Sequence, residues 1–346
     1  MSNIVKFLLP IIIVSILPVA CRRTNTQTEE MIFNDGIIFV SDKDNKFKYY
    51  SMTPDGKNIQ ILNLGNFPEN TVIDELHWVP EWKKFIITAT TGSDSEIYTV
   101  EQGGYNLLNL TKTPTVFETS PVVSPNGKFI AFVGLDLDLD IMIMKSNGNE
   151  RKNITHHPAR DSAPAWSQDN RIIFLSNRNG TPNIYSINVA DNNLTNISKG
   201  PGLDSTFSLS PDGHKLVFDS DRSGNMDLFI VDINGENLFN LTNSPSREVE
   251  PIWSPDGRKI AFRSDQDGSW DIFIINVDGS GIKNLTHTLS IDEYGISWSP
   301  DSQYIVYYAK VNGQSDIFKV SIEGDVPINL TKSTYNEISP IWVNFQ

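Results

Sequence analysis

The sequence predicts an all-β protein built from repeated four-stranded sheets, and three regularities carry this prediction. An aromatic or apolar residue recurs every 43 to 45 residues, usually just before a Ser-Pro-Asp-Gly turn or a variant of it. Each interval also contains an acid or amide followed by two apolar residues, and it closes on Asn-Leu-Thr or a similar triplet. None of the repeats shows helical periodicity. A period of this length with four short strands is typical of a β-propeller blade.

The three landmarks can be followed along the whole chain. The residue before the turn is Trp78, Val123, Trp166, Leu209, Trp253, Trp298 and Trp342. The acid or amide is Glu96, Asp140, Asn183, Asp227, Asp271 and Asp316. The closing triplets begin at Asn109, Asn153, Asn196, Asn240, Asn284 and Asn329. Turn pairs such as Asn234-Gly235 lie between the second and third landmarks and suit tight hairpins.

Each repeat opens with two short strands joined by a tight turn, of which Ser254-Pro255-Asp256-Gly257 is an example. Proline at the second position already has the φ of a type I turn, and glycine is favoured at the fourth position. The apolar run 260–262 then resumes an extended conformation. Because an isolated hairpin is marginally stable in water, it must belong to a larger sheet.

The two ends of the chain are predicted to complete one blade together. The N-terminal part supplies three strands, near residues 37–40, 47–50 and 59–62, but no opening strand. The C-terminal part supplies only an opening strand, near residues 339–343. Residues 36–346 are therefore predicted to form a seven-bladed propeller that is closed by pairing of the N- and C-terminal strands. Such closure removes two exposed sheet edges.

The first 21 residues are typical of a signal peptide. Lys6 precedes an apolar run of about 14 residues, which is shorter than the roughly 18 to 20 that span a bilayer. The segment 17–21, Leu-Pro-Val-Ala-Cys, resembles the lipobox of bacterial lipoproteins, so Cys21 is predicted to be the lipidated first residue of the mature chain. A plain secretory signal or an uncleaved anchor is the alternative. Residues 22–35 are predicted to form a polar tether.

Composition limits the classes of partner and of site. The chain of 346 residues has a net charge of −14, which disfavours nucleic acid and anionic membrane surfaces as partners. It contains a single cysteine, which excludes an intramolecular disulfide and metal sites built on several thiolates. Partners are therefore expected to be cationic or neutral.

The repeat Glu-Pro-x-Trp-Ser-Pro-Asp-Gly at 250–257, followed by Ile-Ala-Phe, Asp-Ile-Phe and Asn-Leu-Thr, resembles the TolB-type propeller repeat. That family includes the periplasmic propeller of the Tol-Pal envelope system and the propellers of prolyl oligopeptidase relatives. The resemblance covers residues 36–346 and implies the fold, although one fold hosts many functions. TolB carries an additional α/β domain before a six-bladed propeller, whereas about 15 residues separate Cys21 from the first strand here.

A carboxylate precedes the first landmark of each repeat by four or five residues. The set is Asp74, Glu118, Asp161, Asp204, Glu248, Glu293 and Glu337. This segment leads into the innermost strand of a blade, so the acids are predicted to surround one mouth of the central channel. They could form an acidic ring that attracts a cation or a basic segment. Alternatively, each accepts hydrogen bonds where neighbouring blades meet.

These features together predict a non-enzymatic binding scaffold of the cell envelope, held to a bacterial membrane by lipid at Cys21. It is predicted to be a monomer that captures an envelope protein or another cationic or neutral ligand on one propeller face. No catalytic residue, metal or cofactor is predicted, because no Gly-x-Ser-x-Gly elbow occurs and no histidine recurs at a fixed repeat position. The alternatives are a glycan-active lyase or hydrolase with its site over the central channel, and a purely structural envelope component.

Overall fold

The computed structural model describes residues 35–43, 46–114, 116–135, 138–288 and 290–345. The predicted signal peptide, Cys21 and the tether up to residue 34 lie outside the described residues. Within the described part of the chain, all regular structure is β-strand and there is no helix. Consequently, no helix there is long and apolar enough to cross a bilayer.

The sheet that contains the Ser-Pro-Asp-Gly turn at 254–257 shows how each repeat folds. Its strands pair antiparallel in sequence order: β20 (Glu248–Trp253), β21 (Lys259–Ser264), β22 (Asp271–Asn276) and β23 (Lys283–Asn284). The turn between β20 and β21 closes through a 2.9 Å hydrogen bond from Gly257 N to Ser254 O. Ser254 Oγ also donates to Asp256 Oδ1 at 2.6 Å. Gly257 has a φ of +72°, a region that favours glycine.

Three other sheets have the same four-strand order. The first contains β12 (Asp161–Trp166), β13 (Arg171–Ser176), β14 (Asn183–Asn188) and β15 (Leu194–Asn196). The second contains β16 (Asp204–Leu209), β17 (Lys215–Ser220), β18 (Asp227–Asp232) and β19 (Phe239–Asn240). The third contains β24 (Glu293–Trp298), β25 (Tyr304–Val311), β26 (Gln314–Ser321) and β27 (Ile328–Asn329).

Two further sets of four strands are joined into one eight-stranded sheet. One set is β4 (Thr71–Val79), β5 (Lys84–Thr91), β6 (Asp94–Glu101) and β7 (Leu108–Asn109). The other is β8 (Phe117–Val123), β9 (Phe129–Leu135), β10 (Leu139–Lys145) and β11 (Lys152–Asn153). Their connection is one parallel pairing, Ser95 with Phe117. Each set otherwise pairs antiparallel within itself, as the other sheets do.

The last sheet combines strands from both parts of the chain. Its order is β28 (Glu337–Asn344), β1 (Asp35–Ser41), β2 (Lys48–Met52) and β3 (Gln60–Ile61). β1 and β28 run antiparallel, with Asp35 opposite Asn344 and Ser41 opposite Glu337. The first and last described strands therefore pair directly.

The hydrophobic core lies between the faces of consecutive four-strand sets. Phe218 and Val231 from β16–β19, for example, pack against Ile173 and Ile184 from β12–β15. One cluster joins β24–β27 to the β28-β1-β2-β3 sheet, and another joins that sheet to β4–β7. Burial of apolar area contributes about 25 cal/mol per Å². The hydrophobic effect therefore holds each set of strands against its neighbours on both sides.

Candidate functional site

Six of the seven predicted ring carboxylates are buried at the junctions between neighbouring sheets. Glu118, Asp161, Asp204, Glu248, Glu293 and Glu337 are each between 0 and 4% exposed. Only Asp74 is exposed, and it accepts a hydrogen bond from Thr90 Oγ1 at 2.6 Å. Five of the buried acids are the first residue of their inner strand and Glu118 is the second, so they lie at one end of the channel wall.

Three of these buried acids are neutralised by arginine. Arg178 Nη2 lies 3.0 Å from Asp161, and Arg222 Nη2 lies 2.8 Å from Asp204. Arg151 makes the corresponding contact with Glu118 at 2.7 Å. The guanidinium groups also stack over buried rings, Arg178 over Phe174 and Tyr185, and Arg222 over Phe218 and Phe229. The arginine compensates the charge of each acid, although Glu118 Oε2 and Asp204 Oδ2 have no hydrogen-bond partner among the described residues.

The other three acids have hydroxyl groups in place of an arginine. Ser264 Oγ donates to Glu248 at 3.1 Å, and Ser333 Oγ donates to Glu337 at 2.6 Å. Thr288 Oγ1 lies 3.0 Å from both Glu293 and Asp271, within a pair of buried carboxyl groups. Burial raises the pKa of Glu248 to about 7 and that of Glu293 to about 8. The nearby carboxylates of Asp227 and Asp271 act in the same direction.

These contacts favour one of the two interpretations that the sequence leaves open. A carboxylate attracts an external cation only when its charge is exposed to that cation, and six of the seven are enclosed by protein. The three arginines and Ser264 belong to the same four-strand set as the acid they contact, whereas Thr288 and Ser333 follow the last strand of the preceding set. The burial therefore supports a structural role at the sheet junctions.

The candidate site that the structure does show is a cavity at the opposite end of the inner strands. Its volume is about 370 Å³, and its wall comes from the ends of β4, β8, β12, β16, β20 and β24 and from the turns that follow them. Most of the wall is apolar or aromatic. Four indoles and five prolines contribute to it: Trp78, Trp166, Trp253, Trp298, Pro80, Pro121, Pro125, Pro211 and Pro255. A concave apolar site with few polar groups is the usual form of a binding pocket.

The four indoles differ in their hydrogen bonding. Trp166 Nε1 donates to Val122 O at 3.0 Å, and Trp298 Nε1 donates to Ile252 O at 3.2 Å, in each case on the preceding inner strand. Trp78 Nε1 and Trp253 Nε1 are buried and have no acceptor among the described residues. A buried donor without an acceptor costs about 1–3 kcal/mol. Two of the four indoles that line the cavity therefore have an N–H group without a hydrogen-bond acceptor.

Two ionisable side chains line the cavity, His77 and Glu81. Burial lowers the pKa of His77, and the charge of Glu75 offsets part of that effect. Glu75 itself accepts hydrogen bonds from Thr88, Thr119 and Ser120. Because the pKa of His77 is lowered from a value near 6.5, this imidazole is neutral at pH 7. Glu81 is exposed at the rim and makes no ion pair among the described residues.

Sequence reasoning singled out the tryptophans as landmarks but did not predict the cavity. Its lining residues are scattered from His77 to Trp298, so only the packing of successive sheets brings them together. The available signal was the landmark residue followed by Ser-Pro, since both the landmark and the proline line the cavity at 123–125, 209–211 and 253–255. Among the residues that the structure describes, no group of three or more His, Cys, Asp or Glu side chains could hold a metal ion.

Comparison with known proteins gives matches of sequence and of fold. The model of the TolB beta propeller domain family matches residues 195–344. The Tol-Pal system protein TolB of Francisella tularensis subsp. tularensis is 38% identical over 53 residues. That segment is 15% of this chain and 12% of the relative's length, so most of the relative is unmatched.

Solved structures with the same fold include two kinds of protein. TolB from Acinetobacter baumannii superposes with a TM-score of 0.55 at 20% identity, covering 86% of this chain and 78% of that one. An oligogalacturonate lyase in complex with manganese superposes with a TM-score of 0.54 at 18% identity, covering 71% and 72%. At these identities the likeness shows the fold alone. Residues 195–344 are thus similar to the TolB beta propeller domain family, and the fold of the described chain is similar to that of TolB.

Proposed function

We propose that the protein is a non-enzymatic, monomeric binding scaffold of the cell envelope, and that it captures a partner in the channel cavity. The observation that carries this proposal is the cavity of about 370 Å³, with an apolar and aromatic wall, at one end of the inner strands. The six buried acids act in this scheme as junction contacts, and the cavity end of the channel is the binding face.

We also infer a seven-bladed ring that closes through β1 and β28. Five four-stranded sheets and the two halves of the eight-stranded sheet give seven sets in the described chain. Apolar clusters connect consecutive sets, and further clusters connect the β28-β1-β2-β3 sheet to both of its neighbours. A closed ring leaves no exposed sheet face at either end of the series, which favours this arrangement.

A variant that fills the cavity tests the capture proposal. Gln168 lines the cavity from its exposed side, so Gln168→Trp is expected to block entry while the fold is kept. Gln60→Trp, on the exposed strand β3 at the outer edge, is the matched control. Affinity capture from envelope extract, with identification by mass spectrometry, should yield the same partner for the parent and for Gln60→Trp. Gln168→Trp should lose that partner, and its unchanged retention would refute the cavity as the binding site.

The envelope location is proposed from the lipobox-like segment before Cys21 and from the match to a protein named as part of the Tol-Pal system. Cys21→Ser should release the protein from the membrane fraction and abolish incorporation of radiolabelled palmitate. If Cys21→Ser stays in the membrane fraction and the parent carries no label, lipid anchoring is wrong. That outcome would leave the cavity proposal in place, because the two rest on different residues.

A further inference from the structure

We propose that a basic patch at the end of the inner strands that bears the buried acids docks on an anionic lipid bilayer. The basic patch lies where the β24–β27 sheet meets the β28-β1-β2-β3 sheet, and three loops contribute to it. Its exposed side chains are Lys43, Lys46, Phe47, Lys310, Lys332 and Tyr335. The cavity lies at the other end of the channel, so this proposal does not depend on capture of a partner there.

Hydrogen bonds hold the three loops together. Asn336 donates to Asp42 through its backbone N at 2.9 Å and through Nδ2 at 2.8 Å. Asn336 Oδ1 accepts from Ser315 N at 3.3 Å, and Thr334 O accepts from the side-chain amide of Gln314. The loop after β1, the β25–β26 hairpin and the loop before β28 therefore form one continuous surface.

The lysines of the basic patch are available to an external anion. All four are exposed and make no ion pair among the described residues. Of the acids in the same segments, Asp42 is hydrogen-bonded to Asn336, and Asp316 and Glu337 are buried. Asp44 lies outside the described residues. Because lysines near an anionic bilayer are attracted to its surface, this region suits lipid headgroups although the whole chain has a net charge of −14.

The exposed phenylalanine favours a bilayer over a soluble polyanion. Phe47 is 65% exposed and lies between Lys46 and Lys48 in the sequence. Its ring has no polar atom, so it is stabilised by leaving water for lipid tails and not by contact with a phosphate or a carboxylate. Lysines beside such a ring keep their charges among the headgroups. Tyr335, which is 38% exposed, adds a ring whose hydroxyl suits the same interface.

The predicted lipid anchor is compatible with docking at this end. β1 is seven residues long, and the basic patch follows its last residue. A strand rises about 3.3 Å per residue, so the patch lies roughly 23 Å from the start of β1. Residues 22–34 can span at most about 45 Å. A lipid at Cys21 and the basic patch can therefore contact one membrane, and the cavity then opens away from it.

Vesicle flotation tests the proposal. The protein is residues 22–346, which retain every described strand and lack the predicted lipidated cysteine. The vesicles contain phosphatidylcholine alone or equal parts of phosphatidylcholine and phosphatidylglycerol. We expect binding to the anionic vesicles to be at least about tenfold tighter, and to weaken as salt is added. Equal binding to both, or no binding to the anionic vesicles at low ionic strength, would overturn the proposal.

Two triple variants locate the charge. One replaces lysines of the basic patch: Lys43→Gln, Lys310→Gln and Lys332→Gln. The matched control makes the same change at three exposed lysines of the cavity end: Lys83→Gln, Lys128→Gln and Lys152→Gln. Both variants lose the same net charge. The first should bind anionic vesicles at least about tenfold more weakly than the parent, and the control should stay within about twofold. Equal losses would show that net charge governs binding, and the basic patch would be refuted.

A single substitution tests insertion of the ring. Phe47→Ala should weaken binding to the anionic vesicles about tenfold. Tyr105→Ala is the matched control, because Tyr105 is 64% exposed and lies between β6 and β7 at the cavity end. It should bind as the parent does, and so should Gln168→Trp, whose site is the cavity. Unchanged binding by Phe47→Ala would indicate a purely electrostatic contact and would refute the bilayer as the occupant.

Discussion

At the scale of single residues, the buried acids make the stability of this protein depend on pH. Three of them are compensated by arginine, whereas Glu248, Glu293 and Glu337 rely on hydroxyl groups. A hydroxyl donates one hydrogen bond but carries no charge, so it cannot offset the loss of hydration of a buried carboxylate. Burial raises the pKa of Glu118 as well, although Arg151 acts to lower it, so both the extent of burial and the charge of the partner determine ionisation.

Glu293→Gln tests this directly. The pKa of Glu293 is about 8 in the folded protein against 4.5 for the unperturbed group. Its contribution to stability is therefore fully present below pH 4.5 and is lost as the pH rises through 8. The parent should lose on the order of a few kcal/mol of unfolding free energy over that interval, at about 1.4 kcal/mol per unit of pKa shift. The Glu293→Gln variant has no carboxyl group to ionise at this position, so its unfolding free energy should fall less than that of the parent. Urea unfolding of both proteins at pH 5 and pH 9 measures the two losses.

Glu69→Gln is the control for that measurement, since its side chain is exposed. Its stability should decline with pH in parallel with that of the parent. If the profile of Glu293→Gln also runs parallel to the parent, then Glu293 is already ionised at low pH and the assigned pKa is wrong.

Single residues also show what the sequence could reveal about the site. The sequence showed that an acid recurs at one position of each repeat. That recurrence alone does not distinguish an exposed ring of carboxylates from carboxylates buried between neighbouring sheets. The arginine partners were a usable signal. Arg178 and Arg222 each stand two residues after a serine that ends the second strand, and Gln266 occupies that place after Ser264. Comparing those three positions would have indicated which acids are paired.

At the scale of the strand, each innermost strand is interrupted by a β-bulge. The pairing register of β24 with β25 shifts between Tyr294 and Ser297, and Gly295 there has a φ of +66°. The corresponding residues Ser120, Ala163, Glu250 and Ser339 also have positive φ, although none is glycine. Such residues cost stability unless the surroundings enforce the conformation. Proline follows these four residues, and this recurring pair was the sequence signal for the bulge.

Two glycine substitutions separate backbone strain from steric contact. A Cβ at Gly295 would lie 2.9 Å from Tyr308 Cε1, whereas one at Gly92 meets nothing within 4 Å. The two glycines have nearly the same φ, +66° and +67°. Gly92→Ala should cost about 1 kcal/mol, and Gly295→Ala about 1–3 kcal/mol more. Thermal unfolding of both variants measures the difference, and equal losses would show that Tyr308 moves aside without cost.

At the scale of the whole molecule, the proposed closure of the ring depends on the pairing of β1 with β28, the first and last described strands. The sequence predicted this pair because each end contained an incomplete repeat. The cavity could not be predicted in the same way, because its wall is assembled from six strands that are distant in sequence. Local patterns specify turns and strands, while the shape of the channel depends on how all the blades pack.

A disulfide across this pair tests closure. Val40 lies opposite Ile338 in β1 and β28, so Val40→Cys with Ile338→Cys should cross-link on oxidation in a Cys21→Ser background. The bond would close a loop of most of the chain and should stabilise the fold by about 2–4 kcal/mol, reversed by reducing agent. Mass spectrometry and thermal unfolding provide the readouts. Absence of the cross-link under oxidising conditions would contradict the pairing of β1 with β28.

The same strand pair also fixes where the chain leaves the ring. β28 runs from Glu337, at the end of the channel with the buried acids, to Asn344, and Asp35 lies beside Asn344. Asp35 also accepts a 2.5 Å hydrogen bond from Trp342 Nε1. β1 therefore begins at the end of the inner strands that bears the cavity. If Cys21 carries the proposed lipid, the 13 residues between it and Asp35 can span at most about 45 Å, so the anchor would keep the start of β1 within that distance of the membrane.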